Sequence, residues 1–230
     1  RDRAAVLYRS NAQSRAIEEA LLRVSIPYRI YGGLRFYERL EIKNAISYLR
    51  IIFNNNDNPS FERSISNPTR GVGEKTLAKL SNAAKQYNIS YIKASAKLID
   101  EGKISGRGGS GLKDYLEFIA GCKGFIEENS LSDLMELIIK ETGLYAYHAK
   151  EAGEKGKTRT ENLEELITAT KNFEQSIKDE RTNIEIAESY LDIISLDSGD
   201  RQASEHDDAA QLMTMHSAKG LEFKLVLLTG

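Results

Sequence analysis

The stretch that decides the fold is residues 211–229, QLMTMHSAKGLEFKLVLLT, near the C-terminus. Residues 211–215 have the pattern of a strand and residues 217–220 that of a loop. Residues 224–229 form the continuous apolar run that is typical of a strand buried on both faces. The connecting segment carries histidine, lysine, glycine and glutamate after the first strand, at the edge where open α/β sheets bind ligands. The sequence therefore predicts an α/β unit with a ligand site at this edge.

The N-terminal residues have the same character. Residues 4–7 form a short apolar run, and apolar residues then recur at helical spacing over residues 17–24. A second strand is predicted over residues 28–31, closed by Gly32 and Gly33. The chain therefore begins as strand, helix and strand.

The middle of the chain has a different pattern. Between about Tyr37 and Leu196 the sequence contains seven or eight amphipathic helical segments and no convincing pair of strands. We expect these helices to be separated by polar or glycine-rich breaks at residues 54–59, 71–73, 106–111 and 153–156.

A helical block between two α/β pieces is the pattern of a domain inserted into a parallel-sheet domain. Each terminal piece is too small to cover two faces of a sheet, so we expect both to pair in one sheet. The predicted fold is mostly α, with a partial α/β parallel sheet from residues 1–34 and 207–230 and an all-helical insert of residues 35–206. The pattern stops at Gly230, where an α/β domain normally continues, so we expect a larger parent protein.

Composition excludes several classes of protein. The single cysteine, Cys122, leaves no disulfide within the chain and no cysteine-based metal site, and no metal site is predicted. No apolar run approaches the roughly 18 residues of a membrane helix. A reducing, cytoplasmic setting is therefore predicted.

Charge is divided unevenly along the chain. Residues 1–115 carry 20 Lys and Arg against 11 Asp and Glu, a net charge of +9, whereas residues 116–230 carry 12 against 23, a net charge of −11. This division predicts one basic surface and an acidic remainder. Alternatively, charged helices simply differ in sign along the chain, and the count alone does not separate these interpretations.

Residues 213–223, MTMHSAKGLEF, closely resemble helicase motif V of the UvrD/Rep/PcrA group of superfamily 1 DNA helicases. Contiguous residues in this order before an apolar strand make a specific pattern. Residues 154–157 and 161–166 resemble UvrD more than Rep. Further stretches that resemble the family are residues 6–15, 26–33, 41–50, 67–73 and 158–166.

The resemblance implies a fragment of an ATP-dependent 3′-to-5′ DNA helicase of DNA repair, whose full-length form uses ATP and Mg²⁺. Such helicases hold ATP between two RecA-like motor domains. The termini would be part of the second motor domain (2A), and the helical insert would be its domain 2B. The implied partners are single-stranded and duplex DNA and the missing first motor domain, with repair proteins as further candidates and no membrane.

The motifs of phosphate and metal binding are missing from this sequence. It contains no GxxxxGK[ST] loop, no Asp-Glu pair placed for Mg²⁺ and no later arginine-bearing motif. Phosphoryl transfer needs a phosphate cradle and a metal. We therefore expect the fragment to be inactive by itself and to bind no cofactor.

The resemblance assigns two kinds of site to the α/β unit. Glu222 matches a glutamate that accepts hydrogen bonds from the nucleotide ribose, and Gly220 would let the backbone approach the nucleotide closely. Arg9, Asn11 and His216 match positions that contact single-stranded DNA. Arginine and asparagine can hold phosphates or sugars without reading sequence, as a translocating motor requires. Without the resemblance, Arg9 would suit a surface charge, Glu222 a solvated loop carboxylate and His216 a structural histidine.

The predicted duplex site lies in the insert. Lys43 and Arg50 are seven residues apart on a predicted helix and so share one face. Residues 71–76, GVGEKT, predict a tight turn into a helix N-terminus, where N–H groups and the helix dipole can hold a phosphate. This turn resembles the GIG hairpin that grips duplex backbone, although a plain helix connection has the same pattern. The assigned duplex residues are Lys43, Arg50, Gly71, Gly73, Lys75 and Thr76.

Further along the chain, a basic cluster of Lys155, Lys157 and Arg159 is predicted to lie in a solvated loop that could add to the basic surface.

Two other functions remain open from the sequence. The insert could be a regulatory module that binds protein partners and has little DNA affinity. The chain could also belong to a DNA-binding or recombination protein that has no ATPase.

Overall fold

The computed structural model describes residues 4–31, 33–197 and 209–229, without the side chains of Leu196 and Asp197. Gly32, Gly230 and the predicted domain boundary between residues 206 and 207 lie outside the described residues. Among the helices that the structure describes, none is both long enough and apolar enough to cross a lipid bilayer.

Four parallel strands from the two ends of the chain form one sheet. They are β1 (Ala4–Tyr8), β2 (Tyr28–Ile30), β3 (Ala210–Thr214) and β4 (Leu225–Thr229), in the spatial order β2-β3-β1-β4. In the register, Val6 of β1 pairs with Leu212 of β3 and with Leu227 of β4. The prediction that both termini build one parallel sheet is confirmed.

Helices make up most of the rest of the described chain, which confirms the mostly α fold. A 3-10 turn over Asn11–Gln13 leads into α1 (Ser14–Arg23), and a second 3-10 turn over Phe36–Glu38 precedes the insert helices. The insert helices are α2 (Leu40–Phe53), α3 (Asn58–Ser66), α4 (Glu74–Tyr87), α5 (Tyr91–Asp100), α6 (Gly106–Glu128), α7 (Leu131–Glu141), α8 (Leu144–Ala149), α9 (Glu154–Ser176) and α10 (Asn183–Asp197).

The chain buries two separate apolar clusters. The insert cluster surrounds α2, whose Ile42, Leu49 and Ile52 are fully buried. The smaller cluster lies on the sheet and includes Tyr8 and Leu212. The helices of the middle segment and the sheet are thus packed around different apolar clusters.

Two predicted breaks proved wrong, because glycine-rich segments at residues 106–111 and 153–156 mostly form the first turns of α6 and α9. Close packing explains the glycines. A Cβ on Gly111 would overlap the carbonyl oxygen of Arg70, and a Cβ on Gly156 would overlap that of Glu151. These glycines let neighbouring backbone approach a helix, and they do not interrupt it.

The prediction that residues 224–229 form a buried strand is half wrong. The strand forms, but all residues of β4 are exposed, with Leu228 at 72%. Its position explains this, because β4 is an edge strand paired with β1 alone and no described helix covers it.

Candidate nucleic-acid interface

Parallel pairing brings the ends of β1 and β3 side by side. Tyr8 is the register partner of Thr214, and the N–H of Met215 donates to the carbonyl oxygen of Tyr8 at 3.0 Å. The residues that follow each strand therefore emerge at the same edge of the sheet. Arg9, Asn11 and His216 line one cleft of about 710 Å³ there. The structure thus brings together all three residues predicted to bind single-stranded DNA.

Short hydrogen bonds fix the two loops of this edge. The Oε1 atom of Gln13 accepts from the backbone N–H groups of Arg9 at 2.9 Å and Ser10 at 3.0 Å, which turns the chain directly after β1. Thr214 Oγ1 accepts from the N–H of Ser217 at 3.2 Å, which holds the start of the loop after β3. The exposed Arg9 and His216 side chains therefore project from ordered backbone.

Helix α9 of the insert forms the opposite wall of this cleft. Glu154, Lys157, Thr158 and Glu161 line it, and their spacing places them on one face of the helix. We call the whole site the strand-end cleft; its lining is Arg9, Ser10, Asn11, Gln13, Thr214 and His216 on the sheet side and these four residues on α9.

The sequence did not predict this second wall. Lys155, Lys157 and Arg159 were expected in a solvated loop, but all three lie in the first turns of α9. Gly156, which suggested the loop, is buried against the carbonyl oxygens of Glu151 and His148. The repeated spacing of polar residues at 154, 157, 158 and 161 was the available signal, but a glycine in the same segment obscured it.

A buried arginine joins the two walls beneath the cleft. Nη1 of Arg39 donates to the carbonyl oxygen of Asn11 at 2.8 Å and to Oδ1 of Asn162 in α9 at 2.9 Å. Nη2 donates to Ser14 Oγ at 2.5 Å, and the Asn162 amide donates to Glu41 Oε1 at 2.6 Å. We call these five residues the Arg39 joint.

The neighbours of Arg39 offset the cost of burying its charge only in part. Burial lowers the pKa of Arg39, while the nearby Glu18 carboxylate raises it, and an arginine stays charged in either case. An ion pair crosses the same interface, because Nε of Arg15 lies 2.6 Å from Oε1 of Glu165 in α9. Since removing one partner of a buried charge pair leaves an uncompensated charge, we expect loss of Arg15 or Arg39 to weaken the contact between α9 and the sheet unit.

The start of α9 is anchored separately. The carboxylate of Glu151 accepts from Nη1 of Arg159 at 2.5 Å and contacts Nδ1 of His148 at 2.7 Å. These partners, with the His148 hydrogen bond as the largest cause, lower the pKa of Glu151 to about 2. Arg159 also lies 3.6 Å from Glu41, so its charge is already paired with carboxylates of the protein.

The two predicted nucleotide residues lie outside the lining of the strand-end cleft, in the later part of the loop between β3 and β4. Gly220 has φ of +85°, a conformation that favours glycine, and Glu222 is exposed. Glu222 could accept from sugar hydroxyls, but the described residues contain no group of three or more His, Cys, Asp or Glu suited to a metal ion.

Lys43 and Arg50 line a second depression, of about 880 Å³, on the insert. Both lie on the outer face of α2, and Nη2 of Arg50 donates to Ser195 Oγ at 3.1 Å. Arg63 adds a third cation. We call this site the cation groove; its lining also includes the acidic Asp57 and Glu62, the polar Ser47 and Asn67, and the apolar Ile46, Leu77 and Ile194.

The turn predicted to grip duplex backbone lies outside the lining of the cation groove. Gly71 is left-handed, with φ of +76°, and Gly73 is the N-cap of α4, followed by the exposed Lys75 and the half-exposed Thr76. Their nearest link to the groove is Leu77, whose N–H donates to the carbonyl oxygen of Gly73 at 3.0 Å. The structure therefore brings the predicted duplex residues together only in two separate groups.

Helix α6 supports this turn from the other side. A Cβ on Gly71 would lie 2.9 Å from Cγ of Arg107, and a Cβ on Gly108 would lie 3.0 Å from the carbonyl oxygen of Gly71. Arg107, which the sequence did not single out, is exposed beside the turn. In the sequence, only the glycines of α6 indicated that this helix packs against the turn, and they were interpreted as a break between helices.

The chain is similar in sequence to one family of known proteins. The model of the UvrD-like helicase C-terminal domain matches residues 1–105 and 114–230. The chain is 46% identical to DNA helicase II of Escherichia coli over 98% of its length, and 46% identical to DNA helicase II of Haemophilus influenzae over its whole length. It is 36% identical to the ATP-dependent DNA helicase PcrA of Bacillus subtilis over 98% of its length. The chain spans 31% of each of these relatives.

Proposed function

Because the chain belongs to the UvrD-like helicase family, we propose that it is the DNA-holding part of an ATP-dependent 3′-to-5′ helicase that acts in DNA repair in the cytoplasm. Residues 1–34 and 207–230 are assigned to the second motor domain, 2A, and residues 35–206 to the inserted domain, 2B. Unwinding belongs to the full-length protein, of which this chain is one part.

The convergence of Arg9, Asn11 and His216 in the strand-end cleft carries the proposal. Their side chains can hold phosphates and sugars, and the loops that position them are ordered by Gln13 and Thr214. Contacts of this kind bind single-stranded DNA regardless of sequence, which suits a motor that moves along a strand.

Duplex DNA is assigned to the insert. Lys43 and Arg50 supply cations in the cation groove, and Gly71, Gly73, Lys75 and Thr76 supply backbone N–H groups and side-chain donors at the start of α4. Because these groups lie on different surfaces, we propose that they contact successive stretches of one duplex backbone.

The nucleotide contact has its own test. In the full-length protein, Glu222→Gln should lower kcat/KM for ATP by about 5- to 30-fold, because a charge-assisted hydrogen bond worth about 1–2 kcal/mol becomes a neutral one. Affinity for single-stranded DNA without nucleotide should stay the same. Unchanged ATP kinetics would remove Glu222 from the nucleotide site. The isolated chain should hydrolyse no ATP, because the phosphate cradle and metal lie elsewhere in the parent.

The DNA assignments are tested by the salt dependence of binding to the full-length protein. Lys43→Ala with Arg50→Ala should reduce the log–log salt slope for a duplex–single-strand junction by up to about 2, at about 0.9 for each lost phosphate contact. Arg9→Ala should reduce the slope for single-stranded DNA by about 0.7. The Lys43 and Arg50 variant should leave the single-strand slope close to that of the parent. Arg9→Ala should lower both slopes, because the junction also carries a single strand.

Three outcomes would count against this division. An unchanged junction slope would favour the alternative that the insert is a regulatory, protein-binding module. An unchanged single-strand slope for Arg9→Ala would remove the strand-end cleft from DNA binding. Equal losses on both probes from the Lys43 and Arg50 substitutions would show that these substitutions act through general destabilisation.

A further inference from the structure

We propose that α9 of the insert is part of the single-strand site, and that Lys157 and Thr158 bind the backbone of the same strand as Arg9, Asn11 and His216. This inference rests on the proposed function, which places single-stranded DNA in the strand-end cleft. It adds residues of the helical insert to a site so far assigned to the sheet unit alone.

Geometry places Lys157 and Thr158 at the centre of the α9 wall. Residues 154, 157, 158 and 161 follow the spacing of one helical face, and all four line the cleft opposite the loops after β1 and β3. A strand that contacts Arg9 and His216 would therefore meet this face of α9 on its other side.

The cations at the start of α9 differ in what already neutralises them. Lys155 lies 3.4 Å from Glu151, and Arg159 is paired with Glu151 and Glu41. Lys157 is exposed and makes no ion pair with the residues that the structure describes. Its ammonium group can thus neutralise a phosphate without breaking an internal contact.

Carboxylates confine the path of a bound strand. Glu154 and Glu161 lie about one turn before and after Lys157 and Thr158 on the same face. They repel phosphates from the ends of the wall, so the backbone can approach at the middle. A lysine and a threonine hydroxyl there hold phosphate or sugar oxygens without reading bases.

The Arg39 joint links the two walls of the cleft. One guanidinium nitrogen, Nη1 of Arg39, contacts both the Asn11 carbonyl oxygen and Asn162, one turn of α9 beyond Thr158. These contacts place both walls within reach of the same strand.

The test uses the full-length protein and a short fluorescent oligothymidylate, with affinity measured as a function of salt. Lys157→Ala should reduce the log–log slope by about 0.7, as one phosphate contact is lost. Lys171→Ala is the matched control, because Lys171 lies on the same helix, is exposed and does not line the cleft. Glu161→Gln should tighten binding, because it removes a repulsive charge, and damage to the fold would not produce that gain.

The outcomes separate the two levels of the hypothesis. If Lys157→Ala behaves like Lys171→Ala while Arg9→Ala lowers the slope, the α9 wall is refuted and the single-strand site stands. If Arg9→Ala also leaves the slope unchanged, the proposed function itself fails. Weaker or unchanged binding by Glu161→Gln would also overturn the proposed role of α9.

Discussion

The strand-end cleft gathers all three residues predicted to bind single-stranded DNA, whereas the cation groove holds only two of the six predicted to bind duplex DNA. Arg9, Asn11 and His216 come from opposite ends of the chain and meet in one cleft. Lys43 and Arg50 share a groove as helical spacing requires, whereas the turn at residues 71–73 lies outside its lining.

The difference arises from how each element positions its residues. Paired parallel strands end at a common edge, so residues that follow them must be neighbours once the register is set. A helical face fixes neighbours only within its own helix. Where two helical faces lie relative to each other depends on packing between helices, which the spacing of polar residues does not encode.

The largest expected difference between the strand-end cleft and the cation groove is the loss of stability when the Arg39 joint is removed. Arg39→Ala should lower the free energy of unfolding of the chain by about 3–5 kcal/mol, because buried partners and the Glu18 carboxylate lose their cation. Urea denaturation measures this. Arg63→Ala in the cation groove is the control, since the exposed Arg63 donates one 3.3 Å hydrogen bond to Asn44 and should cost about 0.5–1.5 kcal/mol. Equal costs would show that the cleft has no special joint.

A smaller effect is expected where α6 supports the turn beside the groove. Gly111→Ala should destabilise the chain by about 1–3 kcal/mol, because its Cβ would overlap the Arg70 carbonyl oxygen and push the turn away. Gly124→Ala on the same helix meets nothing within 4 Å and should stabilise by up to about 1 kcal/mol. Thermal unfolding compares the two variants. A stabilising Gly111→Ala would show that α6 does not press on the turn.

The smallest effect concerns the anchor of α9 and depends on pH. Because the pKa of Glu151 falls from 4.5 to about 2 on folding, its contribution to stability is present above pH 4.5 and is lost as pH falls towards 2. Glu151→Gln should therefore reduce the loss of stability over that interval, as measured by denaturation at several pH values. Glu127→Gln, an exposed change on α6, should leave the interval unchanged. If both variants behave alike, Glu151 is not the acid-sensitive anchor.

Much of the fold could be predicted because periodicity is a local property. The apolar spacing of α2 at Ile42, Leu49 and Ile52 matches its buried face, and the two terminal α/β pieces pair as their small size requires. The exposure of residues 224–229 could not be predicted from sequence, because an apolar run identifies a strand but not whether other elements cover that strand.

The predicted site residues show the same limit. Single positions such as Lys43 and His216 could be named, but the α9 wall with Lys157 could not, because it depends on a contact between two units. The glycines at residues 108–111 and 156 led to wrong predictions of helix breaks, and both errors have the same physical reason. A glycine that ends a helix and a glycine that lets backbone pack against a helix have the same local sequence, and only the neighbour distinguishes them.

The parallel pairing of β2 with β3 has a consequence for redesign of the molecule. The chain leaves the sheet at the carboxyl end of β2 and re-enters at the amino end of β3, with Tyr28 beside Ala210. Such a crossover needs about a dozen residues or more and is usually one helix. The entire insert forms the crossover between β2 and β3, so the order of the strands does not depend on the size of the insert. A single crossover helix, or a foreign helical module, could replace it, and the resulting sheet unit would keep Arg9 and His216 on its edge.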